Sequence, residues 1–592
     1  MTREFDLILI KPSHYDDDGY PITWWRSLIP SNSLAVLYGI AMDCREREIL
    51  GGGVRFHIHT YDDANCRIDP ARIVRGLKRR GAKALVALVG VQSNQFPRAV
   101  DLARPFRAAG IPVVLGGFHV SGCVAMLPET PPEIEAAMAM GISIFTGECE
   151  EGRLDQVLVD AWNGAPKPRY DWLDRLPGLA AAPLPVLPAD RVRRVTGAWA
   201  SFDLGRGCPF QCSFCTIINV QGRKSRFRTA DDLEAIVREN LAQGIKAFFL
   251  TDDNFARNRH WEAFFDRLIH LRETEGLAAN LIIQVDTLCH RISNFIDKAA
   301  RAGVKRVFIG LENINPDNLI AANKRQNKIT EYRHMLQQWM ERGIVTFAGY
   351  IIGFPGDTKE SIVRDIEIIK RELPVDVLEF FLLTPLPGSQ DHKEMHEAGE
   401  WMDPDLNKYD LHHRVAHHPL MSDAEWEEAS RAAWAAFFTW EHVETVARRH
   451  AATPGGRPKK AVQYMTEFKM LYELEGVHPL EGGAVRLKQR RARRPGLKRE
   501  PVWTFYPRFL RDCLVKGAGY WRRWRMAQRI VRRVERDPGR RAYGDLAIRP
   551  LAEDELAALD LFHETAGGEA AVEKERRQAA LLEAVRTQRS AA

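Results

Sequence analysis

No stretch of the 592-residue chain approaches the roughly 18 consecutive apolar residues that a membrane-spanning helix needs. The first apolar run, at residues 5–10, is too short for a secretory signal and lacks a small-residue cleavage site after it. The nine cysteines form no even, regular framework, which argues against a disulfide scaffold and for a reducing, cytoplasmic setting. An excess of one charge is also missing. The formal net charge of +6 is mild for this length and does not by itself imply nucleic acid. With 45% hydrophobic and 27% charged residues, the composition is that of an ordinary globular protein long enough for several domains.

What is present is concentrated in Cys208-Pro-Phe-Gln-Cys212-Ser-Phe-Cys215, which follows an apolar run at 198–204 and the pair Arg206-Gly207. Three thiolates on one short loop can hold three irons of a [4Fe–4S] cube and leave the fourth iron open for chemistry. A structural zinc asks for four closed ligands, usually in two paired knuckles, and no second knuckle lies nearby. At these residues the chain resembles the radical SAM superfamily, with aromatic Phe214 just before the third cysteine. The resemblance implies that the open iron chelates S-adenosylmethionine. It also implies that an electron supplied by a reductant such as a flavodoxin or ferredoxin cleaves that molecule to a 5′-deoxyadenosyl radical.

Residues 1–160 alternate strand-like and helix-like runs, which predicts a doubly wound parallel α/β sheet. Its expected strand ends carry Lys11-Pro-Ser-His14, Tyr61-Asp-Asp63, Gln92-Ser93-Asn94, Gly116-Gly117-Phe-His119 and Thr146-Gly-Glu148, where ligands of such sheets bind. The pattern resembles the cobalamin-binding domain that precedes many radical SAM domains, in the Gly-Gly-x-His step and in Gly147-Glu148-Cys149-Glu150. On that resemblance Ser93, Gly116, Gly117 and Glu148 are the cobalamin candidates. The Asp-x-His-x-x-Gly motif that supplies a histidine ligand to cobalt is missing, so His14, His119, His57 and His59 are read as structural or second-layer groups. Residues 161–195, with six prolines between Pro166 and Pro188, read as a linker.

From 196 to 395 strand and helix repeat six times, which predicts a partial (β/α)6 barrel with its site at the strand ends. The cysteine loop follows the first of these strands. The second ends in Thr251-Asp252-Asp253-Asn254, the third in Gln284-Val-Asp286, and the fourth in Gly310-Leu-Glu312-Asn313. The fifth ends in Gly349-Tyr-Ile351-Ile-Gly353-Phe-Pro-Gly356 and the sixth runs into Thr384-Pro-Leu-Pro-Gly388-Ser. These positions resemble the superfamily's S-adenosylmethionine contacts, and the resemblance assigns that role to Phe214, Asp252, Glu312, Gly349, Ile351, Gly353 and Gly356. An acidic pair at a strand end can equally cap the next helix, and a glycine-rich strand end can be only a tight turn.

The region 396–592 is expected to be mainly helical, with a charged, alanine-rich helix from about 567. Trp426, Trp434, Phe437, Phe438 and Trp440 form a stripe read as core, with the wall of an apolar substrate pocket as the alternative. His412, His413, His417 and His418 read as a loop rather than a metal site. Between 486 and 541 basic residues outnumber acidic ones and aromatics interleave. The segment 520–534 suggests an amphipathic helix on an anionic membrane in preference to nucleic acid, with a merely solvated basic face as the alternative to both. Together these features predict a cytoplasmic radical SAM enzyme, peripheral at the inner membrane surface. The domain order implies cobalamin-dependent methylation of an unactivated carbon on a small-molecule or lipid-like substrate. A radical cyclisation or rearrangement without cobalamin is the alternative, and a scaffold role is disfavoured by the complete cysteine triplet.

Overall fold

The computed structural model describes residues 3–580 except 564, 566, 575 and 579. Its N-terminal part is a sheet of six parallel strands, β1 (Arg3–Lys11), β2 (Val54–Asp62), β3 (Lys83–Leu88), β4 (Val113–Gly116), β5 (Ile142–Thr146) and β6 (Arg169–Asp171), in the order β2-β1-β3-β4-β5-β6. Alternation along β1 sends Phe5, Leu7 and Leu9 into one apolar cluster and Ile8 and Ile10 into another, as a parallel sheet covered on both faces requires. Local signals set the helices. Pro70–Arg80 starts on Asp69, whose side chain accepts from Arg72 N, and stops at left-handed Gly81. Strand β6 lies within the stretch read as linker, so the sheet continues past residue 160. Strand order reverses beside β1, and the ends of β1 and β3 therefore flank a switch point of the kind that binds ligands. Helix α1 (Phe118–Met126) follows β4.

The second sheet holds β7 (Trp199–Phe202), β8 (Ala247–Leu250), β9 (Asn280–Val285), β10 (Val304–Glu312), β11 (Val345–Ile352) and β12 (Val377–Leu382), all parallel and in sequential order. This is the expected open barrel of six units. Its strands and surrounding helices share one core, which includes Phe202, Phe248, Ile283, Val307 and Ala348.

Four helices of the C-terminal region matter here: α2 (Asp423–Phe437), α3 (Trp440–Ala452), α4 (Pro458–Met470) and the 35-residue α5 (Val502–Arg536). Helix α2 starts on a reciprocal cap between Ser422 and Glu425. Its aromatic stripe is core: Trp426, Trp434 and Phe437 are buried, as is Phe438 just beyond the helix, Trp440 is half-buried against the same core, and Trp434 meets Phe380 of β12 edge-on at 5.3 Å. No helix among the described residues is long and apolar enough to cross a membrane. The segment expected to lie on a membrane needs correction. Ala527, Ile530, Val531 and Val534 are buried in the core shared with α3 and α4, so the apolar face of 520–534 is largely already used. The helix expected from 567 falls partly outside the described residues.

Candidate active site

Cys208, Cys212 and Cys215 are free thiols on the loop after β7. Backbone contacts hold that loop in place: Cys208 N donates to Gly222 O at 3.2 Å, Ser213 N to Ala322 O at 3.1 Å, and Gln390 N to Ser213 O at 2.9 Å. The acidic pair at the end of β8 does the same work. Asp252 accepts from Leu204 N at 2.7 Å and from Asn258 Nδ2 at 3.0 Å, while Asp253 accepts from Gly207 N at 2.7 Å. Burial pushes both carboxyls up to about 7, only partly countered by the donors they hold. Asp252 therefore braces the cysteine loop from behind. Asn254 is committed as well, donating to Asp286 at 3.0 Å.

Two cations flank the loop. Lys324 pairs with Glu312 and lies 5.6 Å from the ring centroid of Phe214. Burial disfavours its charge, but Glu312, Cys212 and Cys215 more than restore it, so its pKa stands above the ordinary lysine value. Arg257 lies 5.6 Å from the Phe210 ring and is fixed by Asp286 at 2.6 Å. Gln326 Nε2 donates to Cys212 Sγ at 3.5 Å. Three thiols on a pinned loop, a donor to one sulfur and two nearby cations suit an iron–sulfur cluster, whose sulfurs accept hydrogen bonds and whose reduced form gains negative charge.

Glu312 itself has φ of +64°, at a register shift between β10 and β11. A non-glycine residue held there is strained and persists only where its surroundings fix it, here through Lys324. Gly310 and Gly349 leave the room: a Cβ on Gly310 would sit 2.9 Å from Lys324 Nζ, and one on Gly349 would sit 3.2 Å from Phe308 Cζ. Ile351 packs with Phe354 beside Phe214, Phe381 and Leu383, an apolar wall next to the cysteines. Gly353 has φ of +104°, and a Cβ there would lie 2.3 Å from the Trp426 ring. Gly356 is crowded by Asn318. The structure thus gathers Phe214, Glu312, Gly349 and Ile351 around the cysteine loop, whereas Gly353 and Gly356 shape the turn behind it.

On the N-terminal side Glu148, expected as a cofactor contact, is engaged by the protein itself. Its carboxylate takes Arg206 at 2.5 Å and Arg226 at 2.5 and 2.9 Å, so both oxygens are spent on a buried bridge to the barrel. Glu150 adds an ion pair to Arg206 at 2.8 Å and Asp203 another at 3.1 Å. Arg206 immediately precedes Gly207-Cys208, so the two domains grip the cysteine loop together. Ser93 is hydrogen-bonded to buried His119 at 3.2 Å, and a Cβ on Gly117 would lie 2.1 Å from Val91 N. At the switch point Glu481 takes His14 at 2.6 Å and Asn94 at 3.0 Å. The second ring nitrogen of His14, Nδ1, is buried without a partner, the kind of atom a bound polar group would satisfy, so this edge suits a ligand. Nearby, α1 meets the segment after β12 backbone to backbone: a Cβ on Gly122 would lie 2.5 Å from Pro387 O, and one on Gly388 would lie 2.7 Å from Gly122 Cα.

The remaining histidines and cysteines have ordinary roles. His57 and His59 sit in β2, His417 pairs with Asp423 at 2.9 Å and His418 with Phe354 O at 2.9 Å. Cys44, Cys66 and Cys123 are buried and Cys149 half-buried. Among the described residues neither group of His, Cys, Asp and Glu close enough to hold a metal ion contains more than one cysteine. Sequence reasoning missed Lys324, Gln326, Arg257, Arg226 and Glu481. Each acts through the fold, and a lone charge or amide carries no sequence signal of its own.

A family model described as Radical SAM superfamily matches residues 203–369. Similar proteins include the bacteriochlorophyllide d C-8(2)-methyltransferase of Chlorobaculum tepidum, 27% identical over 374 residues, 60% of this chain and 78% of that protein. The hopanoid C-2 methylase of Rhodopseudomonas palustris is 24% identical over 343 residues, 56% of this chain and 61% of its own length. Among solved structures, the radical S-adenosylmethionine methyltransferase TsrM from Kitasatospora setae, with cobalamin and a [4Fe–4S] cluster bound, superposes with a TM-score of 0.55 at 17% identity, covering 78% of this chain and 99% of that one. OxsB, a cobalamin-dependent S-adenosylmethionine radical enzyme with aqua-cobalamin bound, gives 0.50 at 12% identity, covering 94% and 83%. At those identities the likeness is one of fold.

Proposed function

We propose that the chain, whose residues 203–369 match the Radical SAM superfamily model, is a cobalamin-dependent methyltransferase acting on an unactivated carbon of a small-molecule or lipid-like substrate. The observation that carries the reading is the pinned cysteine loop, gripped on one side by the barrel and on the other by strand ends of a doubly wound domain. Relatives named as methyltransferases of bacteriochlorophyllides and hopanoids support it. When bound, the cluster delivers the electron that cleaves S-adenosylmethionine, and cobalamin carries the methyl group.

In this reading Cys208, Cys212 and Cys215 ligate iron. Asp252 and Asp253 keep the loop from yielding, and Lys324 and Arg257 favour the reduced state of what the cysteines hold. Glu312, backed by Lys324, offers its carboxylate to a polar group of S-adenosylmethionine, and Gly349 lets that molecule come close to the backbone. Ile351, Phe354 and Phe214 exclude water from the wall where a carbon radical would be quenched. Ser93, Gly116, Gly117 and the unpartnered nitrogen of His14 would contact the second cofactor. A flavodoxin- or ferredoxin-type protein supplies electrons, and the chain works in the cytoplasm at the membrane surface.

One observation favours a second reading. Glu148, just after β5, is committed to Arg206 and Arg226, and Glu481 of the C-terminal region closes over His14 and Asn94 at the switch point, which suits an N-terminal domain used for docking beside a radical cyclisation or rearrangement. Anaerobic purification with cobalamin, followed by iron, sulfide and cobalt analysis and S-adenosylmethionine turnover, separates the two. Roughly four irons and one cobalt per chain, with both 5′-deoxyadenosine and S-adenosylhomocysteine formed, is the expected result. Iron without cobalt, and deoxyadenosine alone, selects the second reading.

A further inference from the structure

Helix α5 has two unlike halves. Beyond residue 526 it is packed into the core shared with α3 and α4. Before that it lies along the surface, touching the body through Phe505, which packs on Tyr20 at 5.4 Å, through Lys516 to Glu475 at 2.8 Å, and through the Tyr520 hydroxyl to Glu475 at 3.0 Å. The opposite side is bare. Trp503 is 80% exposed, Tyr506 55%, Leu510 61%, Leu514 67%, Trp521 54% and Trp524 55%. Their spacing of three, four and seven residues puts all six on one stripe of the helix. Globular surfaces scatter large apolar side chains singly; a continuous stripe marks a surface that something covers.

Charge identifies what covers it. Val502–Arg536 carries ten Lys and Arg against two acids. On the shoulder of the stripe Arg511, Arg522, Arg525 and Arg529 are exposed and have no acidic partner among the described residues, while Arg525 lies 4.7 Å from the ring centroid of Trp521. A second copy seated on the same face about a two-fold axis would bring these arginines against themselves. Nucleic acid would use the arginines and the rings but gain nothing from Leu510 and Leu514. Tryptophan and tyrosine at headgroup depth, leucine below and arginine beside them is the pattern of a helix lying in an anionic lipid surface.

The inward side of the same half-helix roofs a cavity of about 480 Å³. Phe505, Arg508, Phe509, Asp512 and Lys516 face His14, His412, His478 and Glu481 across it. His478 stacks on Phe381 at 4.9 Å, and Phe381 belongs to the apolar wall beside the cysteine loop. Phe381 thus links the lining of the cavity to the apolar wall of the candidate active site.

We propose that the outward stripe of α5 between Trp503 and Trp524 seats the protein on an anionic membrane, so that an amphiphile held there passes beneath the helix into this cavity. The passage of substrate rests on the lipid-like substrate proposed above, whereas docking stands on α5 alone.

The test uses the full chain reconstituted with iron and sulfide under anaerobic conditions. It is co-sedimented with vesicles of phosphatidylcholine alone and of phosphatidylcholine with phosphatidylglycerol. Binding to the anionic vesicles is expected, weakened by salt and reduced roughly tenfold or more in a W503S/L510S/L514S variant, with iron content and 5′-deoxyadenosine formation retained. Brominated lipid should quench tryptophan fluorescence of the unmodified chain, a readout that needs no variant. Absence of binding at low salt, or unchanged binding by the triple variant, overturns the proposal. A concentration-dependent dimer abolished by the triple variant overturns it in favour of a second copy. Loss of cobalt binding or methylation with docking intact would strike the methyltransferase reading only.

Discussion

Arg206 and Glu148 meet across the boundary between the two α/β domains at 2.5 Å, both buried. Three acids, Glu148, Glu150 and Asp203, surround this one guanidinium, and the first cluster cysteine lies two residues further on. Removing the cation leaves buried carboxylates uncompensated, which costs about 3–5 kcal/mol. Arg206→Ala should therefore unfold earlier in thermal melts and be cut sooner by protease between the domains. Arg206→Lys should rescue little, since one ammonium cannot reproduce the fork. A melting curve unchanged in Arg206→Ala would falsify the clamp.

Asp203 gives the clamp a pH signature. Burial alone would raise its carboxyl, but Arg206 and Arg228 hold it down at about 2, against an ordinary 3.8. A folded value below the unfolded one means stability fully present above about pH 4 and lost as pH falls toward 2, about 2 kcal/mol in all. Acid titration of the wild type and of Asp203→Asn should differ in that window, with the variant's stability changing less. Parallel curves would remove Asp203 from the account.

The cysteines make a spectroscopic prediction. Alanine at Cys208, Cys212 or Cys215 should abolish most of the reconstituted iron and the visible absorbance that accompanies it. Iron retained in the triple variant would overturn the assignment of the loop.

Lys324 should tune the same centre. Replacing it with methionine removes a buried positive charge that faces Cys212 and Cys215, so the midpoint potential of the reconstituted cluster should fall, and Lys324→Arg should restore part of it. An electron paramagnetic resonance redox titration decides this. An unmoved potential would reduce Lys324 to a partner of Glu312.

The fold was largely legible, because its strands are short apolar runs bounded by turn residues and its helices carry caps. The cysteine loop was legible because three thiols at that spacing have few other uses. The bracing role of Asp252, the bridge made by Glu148 and the cations Lys324 and Arg257 were not, because pairing between residues dozens of positions apart is decided by packing. The covering of 520–534 was not legible for a related reason: 503–524 and 520–534 both have apolar stripes, and only tertiary contact tells which is packed into the core.

Gly353 offers a test of the turn behind the site. With φ of +104° and the Trp426 ring where a Cβ would go, Gly353→Ala should destabilise the protein by more than about 1 kcal/mol. A Trp426→Leu background should recover part of that loss, measured by denaturant unfolding.

Finally, Gly122 and Gly388 touch without a side chain between them, as parts cut to fit leave no clearance for a shim. Such a joint works only as a pair. Anyone grafting the N-terminal domain of a relative onto this barrel by gene fusion would need to carry residues 387–388 along with it, since a single added methyl would wedge the halves apart.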